Sequence, residues 1–118
     1  QDIVYPWGNE EPDCERLNFS DCLQGTTRVC SYAAGNTAQG LCDMAGNVWE
    51  WTADWYHRDA YRSAVVVDPI GPDSGRWRVI RGGSFANLPS YCTCSHREPA
   101  LPTQPRLTTG FRCAYPSD

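Results

Sequence analysis

Residues 40–51 read GLCDMAGNVWEW, and this stretch, continued to Tyr56, decides how the rest of the chain is read. From Asn47 the run NVWEWTADWY is rich in aromatic and β-branched side chains, which suit a pleated, half-buried surface better than a helix. Val48, Glu50, Thr52 and Asp54 alternate only approximately with Trp49, Trp51 and Trp55. Residues 47–56 are therefore expected to form the core strand. Working outward, residues 76–80 (RWRVI) read as a second strand that Gly82-Gly83 ends, and residues 110–115 (GFRCAY) as a last short one. The segment between them, residues 84–109, reads as irregular. Upstream, residues 10–40 form a polar loop with at most one short strand at residues 28–32, and a loop of that length needs a fastening. Residues 57–67 have room for one helical turn, and Asp68-Pro69-Ile70-Gly71-Pro72 and Asp73-Ser74-Gly75 for consecutive turns.

Composition points the same way. With 118 residues there is material for a single domain, residues 1–118. Five Trp, six Tyr and three Phe against one Met describe a core of a few large flat side chains, not a helical bundle. Ten Gly and nine Pro interrupt the chain too often for long helices. The mean hydropathy of -0.53 and the lack of a long apolar run argue against a membrane span. No basic and apolar leader opens the chain, so no signal peptide is expected. A net charge of -4 and a pI near 5.0 repel phosphate backbones, and nucleic acid is not expected as a partner. All ten basic residues are Arg, a side chain suited to carboxylate pairing and aromatic stacking, so a structural use of the arginines is expected.

Seven cysteines stand at 14, 22, 30, 42, 92, 94 and 113. Their spacings contain no CxxC pair, which argues against a structural zinc site. Cys92 and Cys94, with only Thr93 between them, would point to one face of a strand and bridge each other poorly. Cys14 with Cys22 is the first pairing to expect, from proximity along the loop, and the other connectivities stay open. The compartment is not decided by these residues, although an extracellular or cell-surface setting is somewhat favoured.

Four motifs occur in order: Tyr5-Pro6-Trp7-Gly8-Asn9, residues 40–51, Arg78-Val79-Ile80-Arg81-Gly82-Gly83-Ser84-Phe85, and Gly110-Phe111-Arg112-Cys113. Together they resemble the formylglycine-generating enzyme, or sulfatase-modifying factor, family. The resemblance implies an α+β fold of the C-type-lectin-like kind with short antiparallel strands and much irregular ordered loop. It covers nearly the whole chain but only the C-terminal part of a typical family domain.

The family's calcium loop maps onto the side chains of Asp43 and Glu50 and the carbonyls of Gly46 and Val48, the oxygen donors a hard cation takes. A second family site maps onto Asn18, the Phe19 carbonyl, Asp21 and the Leu23 carbonyl. The alternative for the first loop is that Asp43 caps a turn while Glu50 pairs with Arg81 or Arg112. Family catalysis uses two cysteines, five positions apart, to hold Cu(I), for which soft thiolates are suited. Those positions fall on Asn87 and Cys92. One thiolate is left, so copper is not expected; an oxidase acting on a peptidyl cysteine would need Cys92 and Cys94 instead.

The layout is also similar to the variable proteins of diversity-generating retroelements, in which a variable stretch follows Arg-Val-x-Arg-Gly-Gly-Ser. Residues 86–96 contain only types that adenine mutagenesis of Asn codons produces. That resemblance implies a non-catalytic recognition domain whose residues 85–109 are displayed on a rigid platform, with Arg81, Arg97 and Arg112 as supports. Phe85, Asn87, Leu88, Ser90, Tyr91, Thr93, Ser95, His96 and Leu101 are then the candidate ligand-binding residues, and a protein or carbohydrate the candidate ligand. His96 has no carboxylate or Ser at motif spacing to make it catalytic.

Overall fold

A computed structural model describes residues 2–60, 62 and 70–116. Its sheet has four strands: β1 (Trp49–Trp55), β2 (Arg78–Arg81), β3 (Glu98–Ala100) and β4 (Thr109–Gly110), in the order β3-β2-β1-β4. β1 and β2 are antiparallel, with Glu50 opposite Arg81, Trp51 opposite Ile80 and Trp55 opposite Arg78. Between the last two pairs β1 advances four residues while β2 advances two, so β1 bulges. This bulge is why the alternation along residues 47–56 is only approximate. The Thr52 hydroxyl donates to the Val79 carbonyl at 2.9 Å and the Arg78 guanidinium to the Ala53 carbonyl, which supplies partners where the ladder is broken. The same Arg78 guanidinium lies 3.6 Å from the Trp55 ring centroid, the structural use expected of the arginines.

The strands at residues 47–56 and 76–80 fall where expected. Other elements differ. Residues 28–32 form no strand; a short 3₁₀ turn follows at Ala33–Gly35. The expected strand at residues 110–115 shrinks to the two residues of β4, which run parallel to β1, because the Arg112 side chain that follows is drawn across to Glu50. Residues 84–109 contain order that the sequence does not announce, a 3₁₀ turn at Pro89–Tyr91 and strand β3. Of the helical turn expected at residues 57–67, the bonds Ala60 N–H to His57 O and Arg62 N–H to Asp59 O are present. Residues 61 and 63–67 lie outside the described residues, as do Asp68 and Pro69 of the expected turns. Among the described residues no helix is long and apolar enough to cross a membrane.

The apolar core is small and divided. Leu17, Phe19, Ala45 and Cys92 form one cluster under Trp7 and Cys22; Trp49, Ile80 and Ala100 form the other under Trp51. Loops carry the remaining structure. Cys14 is bonded to Cys22, as expected, and Cys30 to Cys42, with Cα separations of 5.6 and 5.2 Å. Each closes a short loop whose lost unfolded-state freedom stabilises the fold by about 3 kcal/mol. Asn47, 6% exposed and at φ +68°, ties the loops internally. Its N–H donates to the Asn18 carbonyl at 2.8 Å, its carbonyl accepts from Phe85 N–H at 2.9 Å, and its Oδ1 accepts from Thr27 N–H at 2.9 Å. A buried polar group is tolerable only when satisfied in this way.

Gly83 sits at φ +72°, and a Cβ there would overlap the Sγ of buried Cys92. Gly83→Ala therefore combines left-handed strain with overpacking and is expected to lower unfolding free energy by about 2–5 kcal/mol in urea melts. Adding Cys92→Ala should restore part of the loss; an unchanged midpoint for Gly83→Ala would contradict the packing described.

Candidate functional site

The turn after β2 is built around a buried serine. Ser84 is fully buried; its N–H and hydroxyl both donate to Asn87 Oδ1, at 3.1 and 2.5 Å, and its carbonyl accepts Asn87 N–H. The Asn87 carbonyl in turn accepts Ser20 N–H at 3.0 Å. The Asn87 side-chain oxygen and backbone are thus used inside the turn, and the residue is half-buried. Cys92, 1% exposed, follows the 3₁₀ turn and packs in the first core cluster. Burial pushes its thiol up to about 11, only partly offset by a hydrogen bond with the Gly46 backbone. Cys94 is exposed; burial around its sulfur raises its pKa and the nearby Arg81 charge offsets this in part. The two lie in no strand and share no face, contrary to the expectation from their spacing.

Beyond this turn the segment does reach the surface. Leu88 is 58% exposed and Tyr91 37%, and Ser90 and Ser95 are exposed; Phe85, Thr93, His96 and Leu101 are half-buried. Tyr91 is held by rings: it meets His96 edge-on at 4.9 Å and Trp49 at 6.4 Å, while His96 lies 6.0 Å from Trp49 and bonds Glu98 Oε1 through Nε2 at 2.7 Å. A ring fixed on two sides presents its edge at little entropic cost. Of the expected supports, Arg97 lies 5.5 Å from the Tyr56 ring centroid and Arg112 clamps Glu50. Arg81 supports nothing by an ion pair: among the described residues no carboxylate pairs with it.

Asp43, Gly46, Val48 and Glu50 line one cavity of about 250 Å³. Arg112 shares that cavity. Its Nε and Nη2 donate to the two Glu50 oxygens at 2.7 and 2.6 Å and Nη2 also to the Asp43 carbonyl at 3.0 Å; these bonds raise the Arg112 pKa above its ordinary value. Asp43 Oδ2 accepts Cys30 N–H at 2.6 Å. The donor types fit a hard cation, and each carboxylate oxygen keeps a second lone pair, but Arg112 already supplies Glu50 with a positive partner. At the second expected site the fit is poor. The Asn18 amide donates to the Gly25 carbonyl at 2.8 Å and accepts Leu23 N–H at 3.4 Å, the Phe19 carbonyl accepts Cys22 N–H, and Asp21 is exposed. Asn18 closes its own loop.

The sequence reading missed a larger cleft, about 830 Å³, whose walls include Tyr5, Met44, Trp51, Arg81, Cys94 and Arg112. Trp51 and Arg81 were visible as strand residues; what was hidden is that the N-terminal segment and the loop before Met44 border the same two strands.

Residues 2–116 match the family described as the sulfatase-modifying factor enzyme 1-like domain, FGE-sulfatase. The chain belongs to this family. As a family domain it is similar to formylglycine-generating enzyme of Thermomonospora curvata, 38% identical over 129 residues, covering 93% of this chain and 42% of the enzyme. It is also similar to serine/threonine-protein kinase Pkn1 of Chlamydia trachomatis serovar L2, 44% identical over 114 residues, covering 95% of this chain and 18% of the kinase. Among solved structures, Treponema denticola variable protein 1 superposes with a TM-score of 0.71 at 27% identity, over 91% of this chain and 39% of that one. The fold is thereby the C-type-lectin-like fold of the family, a small sheet with irregular loops. The FGE-sulfatase domain here spans less than half the length of each of these relatives.

The burial of Cys92 has a measurable consequence. In native protein a thiol reagent should modify Cys94 and Cys113 and spare Cys92 until the chain is unfolded. Because the folded pKa is raised, the folded state holds this proton more tightly: the contribution is complete below pH 9 and is lost as pH rises to about 11. Stability should fall less over that interval in Cys92→Ala; rapid native labelling of Cys92 would contradict the assignment.

Proposed function

We propose that this family domain recognises a protein or carbohydrate ligand through the exposed part of residues 85–109, and that it carries out no copper-dependent oxidation. The observation that carries the reading is the fate of the two positions at which the family holds copper. Asn87 is locked onto Ser84 by hydrogen bonds, and Cys92 is a protonated thiol in the core. A neutral amide is no substitute for a thiolate toward a soft monovalent ion. With those positions given over to structure, Leu88, Ser90, Tyr91 and Ser95 are left as a surface of one anchored aromatic ring among aliphatic and small polar side chains. Such surfaces bind with little loss of side-chain freedom. The likeness to Treponema denticola variable protein 1 supports recognition. The likeness to formylglycine-generating enzyme favours the rival, an oxidase of a peptidyl cysteine, which here would have to enlist Cys94.

For the first loop we also propose calcium, held by Asp43, the Gly46 and Val48 carbonyls and Glu50. It would add a cross-link between the loop and the start of β1; the Asn18 loop is not part of this proposal.

One set of titrations tests both parts. Cu(I), offered against a competing colorimetric chelator, should give the same curve with wild type and Cys92→Ala, since Cys92 takes no part. A 1:1 complex that Cys92→Ala abolishes would overturn the recognition reading in favour of the oxidase. In the same samples calcium at a hundredfold excess over its dissociation constant should raise stability by about 2.7 kcal/mol relative to chelator-treated protein. An unchanged melting temperature removes calcium from the account.

A further inference from the structure

We propose that the large cleft over β1 and β2 is a second binding site, and that it takes an extended polypeptide segment in which an acidic side chain is flanked by apolar ones. The proposal is argued from Arg81 and the cleft walls and not from the recognition surface of Leu88, Ser90, Tyr91 and Ser95, which do not line the cleft, although Thr93 and Cys94 of the same segment and Glu50 do.

Charge is the first argument. Glu50 stands directly opposite Arg81 in the antiparallel register, so the two side chains share a face of the sheet and would be natural partners. Both Glu50 oxygens are instead taken by Arg112. All three residues line the cleft, which therefore holds two guanidinium groups and one carboxylate in a protein whose net charge is -4. Arg81 is left exposed and, among the described residues, without a carboxylate. A guanidinium beside apolar walls is matched best by a planar carboxylate taken through two parallel hydrogen bonds.

The walls are the second argument. Met44 is 36% exposed and Ile3 64% exposed, and both line this space, an apolar surface that water covers poorly; Trp51 borders it as well, although its side chain packs with Ile80 on the core cluster. At about 830 Å³ the cleft lies toward the upper end of the range for ligand sites. A space of that volume holds several residues of extended chain, and the exposed Ile3 and Arg81 on its walls are reached from solvent. Cys94 lies on its wall and reports on occupancy.

The test uses the full chain carrying Cys113→Ser, so that Cys94 is the one exposed free thiol, with the blocked peptide acetyl-Ala-Leu-Asp-Leu-Ala-amide and its counterpart with Asn for Asp. Calorimetry should show the Asp peptide binding about tenfold or more tightly than the Asn peptide, the loss expected on removing one charged partner. Arg81→Gln should abolish that difference and Arg81→Lys restore part of it; Arg81 is exposed and makes no ion pair among the described residues, so neither change removes a described contact of the fold. The Asp peptide should also slow alkylation of Cys94. Equal affinities for the two peptides, or no saturable binding by either up to about 1 mM, would overturn the proposal. So would a concentration-dependent dimer that shields Cys94 without peptide, since the occupant would then be a second copy of this chain.

Discussion

Asn47 is a buried amide in a left-handed backbone conformation, and its hydrogen bonds to Asn18, Thr27 and Phe85 join three distant stretches of chain to the loop that precedes β1. The apolar clusters are too small to impose one arrangement on so much irregular backbone. Leu17, Phe19 and Cys92 belong to segments whose mutual placement is set by these polar ties: Asn47 to Asn18 on one side, Phe85 to Asn47 and Gly46 to Gly82 on the other. A satisfied buried network of this kind specifies geometry, because breaking any one bond leaves a desolvated partner behind at a cost of about 1–3 kcal/mol. Loops are ordered here by hydrogen bonding and disulfides in the role that helices play in other small domains.

This constraint decides what the turn after β2 can do. Phe85 is anchored to Asn47 and Asn87 to Ser84 and Ser20, so the turn has its positions fixed from both ends. Cys92 is packed into the first core cluster, and that burial pushes its thiol up to about 11. Beyond the turn the segment meets both core and surface, with Cys92 buried and Leu88 and Tyr91 exposed. Scaffold and displayed surface are thus parts of one segment. Charge is arranged on the same economy. Arg78 and Arg97 lie over aromatic rings and Arg112 neutralises Glu50, while Arg81 lines a cleft with no carboxylate partner among the described residues.

Much of this was legible in the residues themselves. The aromatic and β-branched runs located β1 and β2, the four motifs implied the family and its loop-rich fold, and proximity paired Cys14 with Cys22. Asp43, Gly46, Val48 and Glu50, close in sequence, line one cavity. What escaped has a physical reason in each case. Strand β3 contains Pro99 and only three residues, too short for any alternation to show. Nothing local reveals that Ser84 is buried and bonds the side-chain oxygen of Asn87, three positions later. Glu50 had two possible arginine partners, and the choice of Arg112 over the cross-strand Arg81 depends on a chain end 62 residues away. The large cleft arises between segments remote in sequence, so no local pattern encodes it.

Native-state amide exchange of Asn47→Gly against the wild type tests the central tie most directly, because glycine keeps the left-handed backbone and removes the amide alone. If the network is one cooperative unit, the N–H groups of Thr27, Asn47 and Phe85 exchange as one slow class in the wild type and all accelerate together in the variant. Acceleration confined to Thr27, with Phe85 and Asn47 unchanged, would show that the side chain closes a single loop and that the ordering of this fold has another origin.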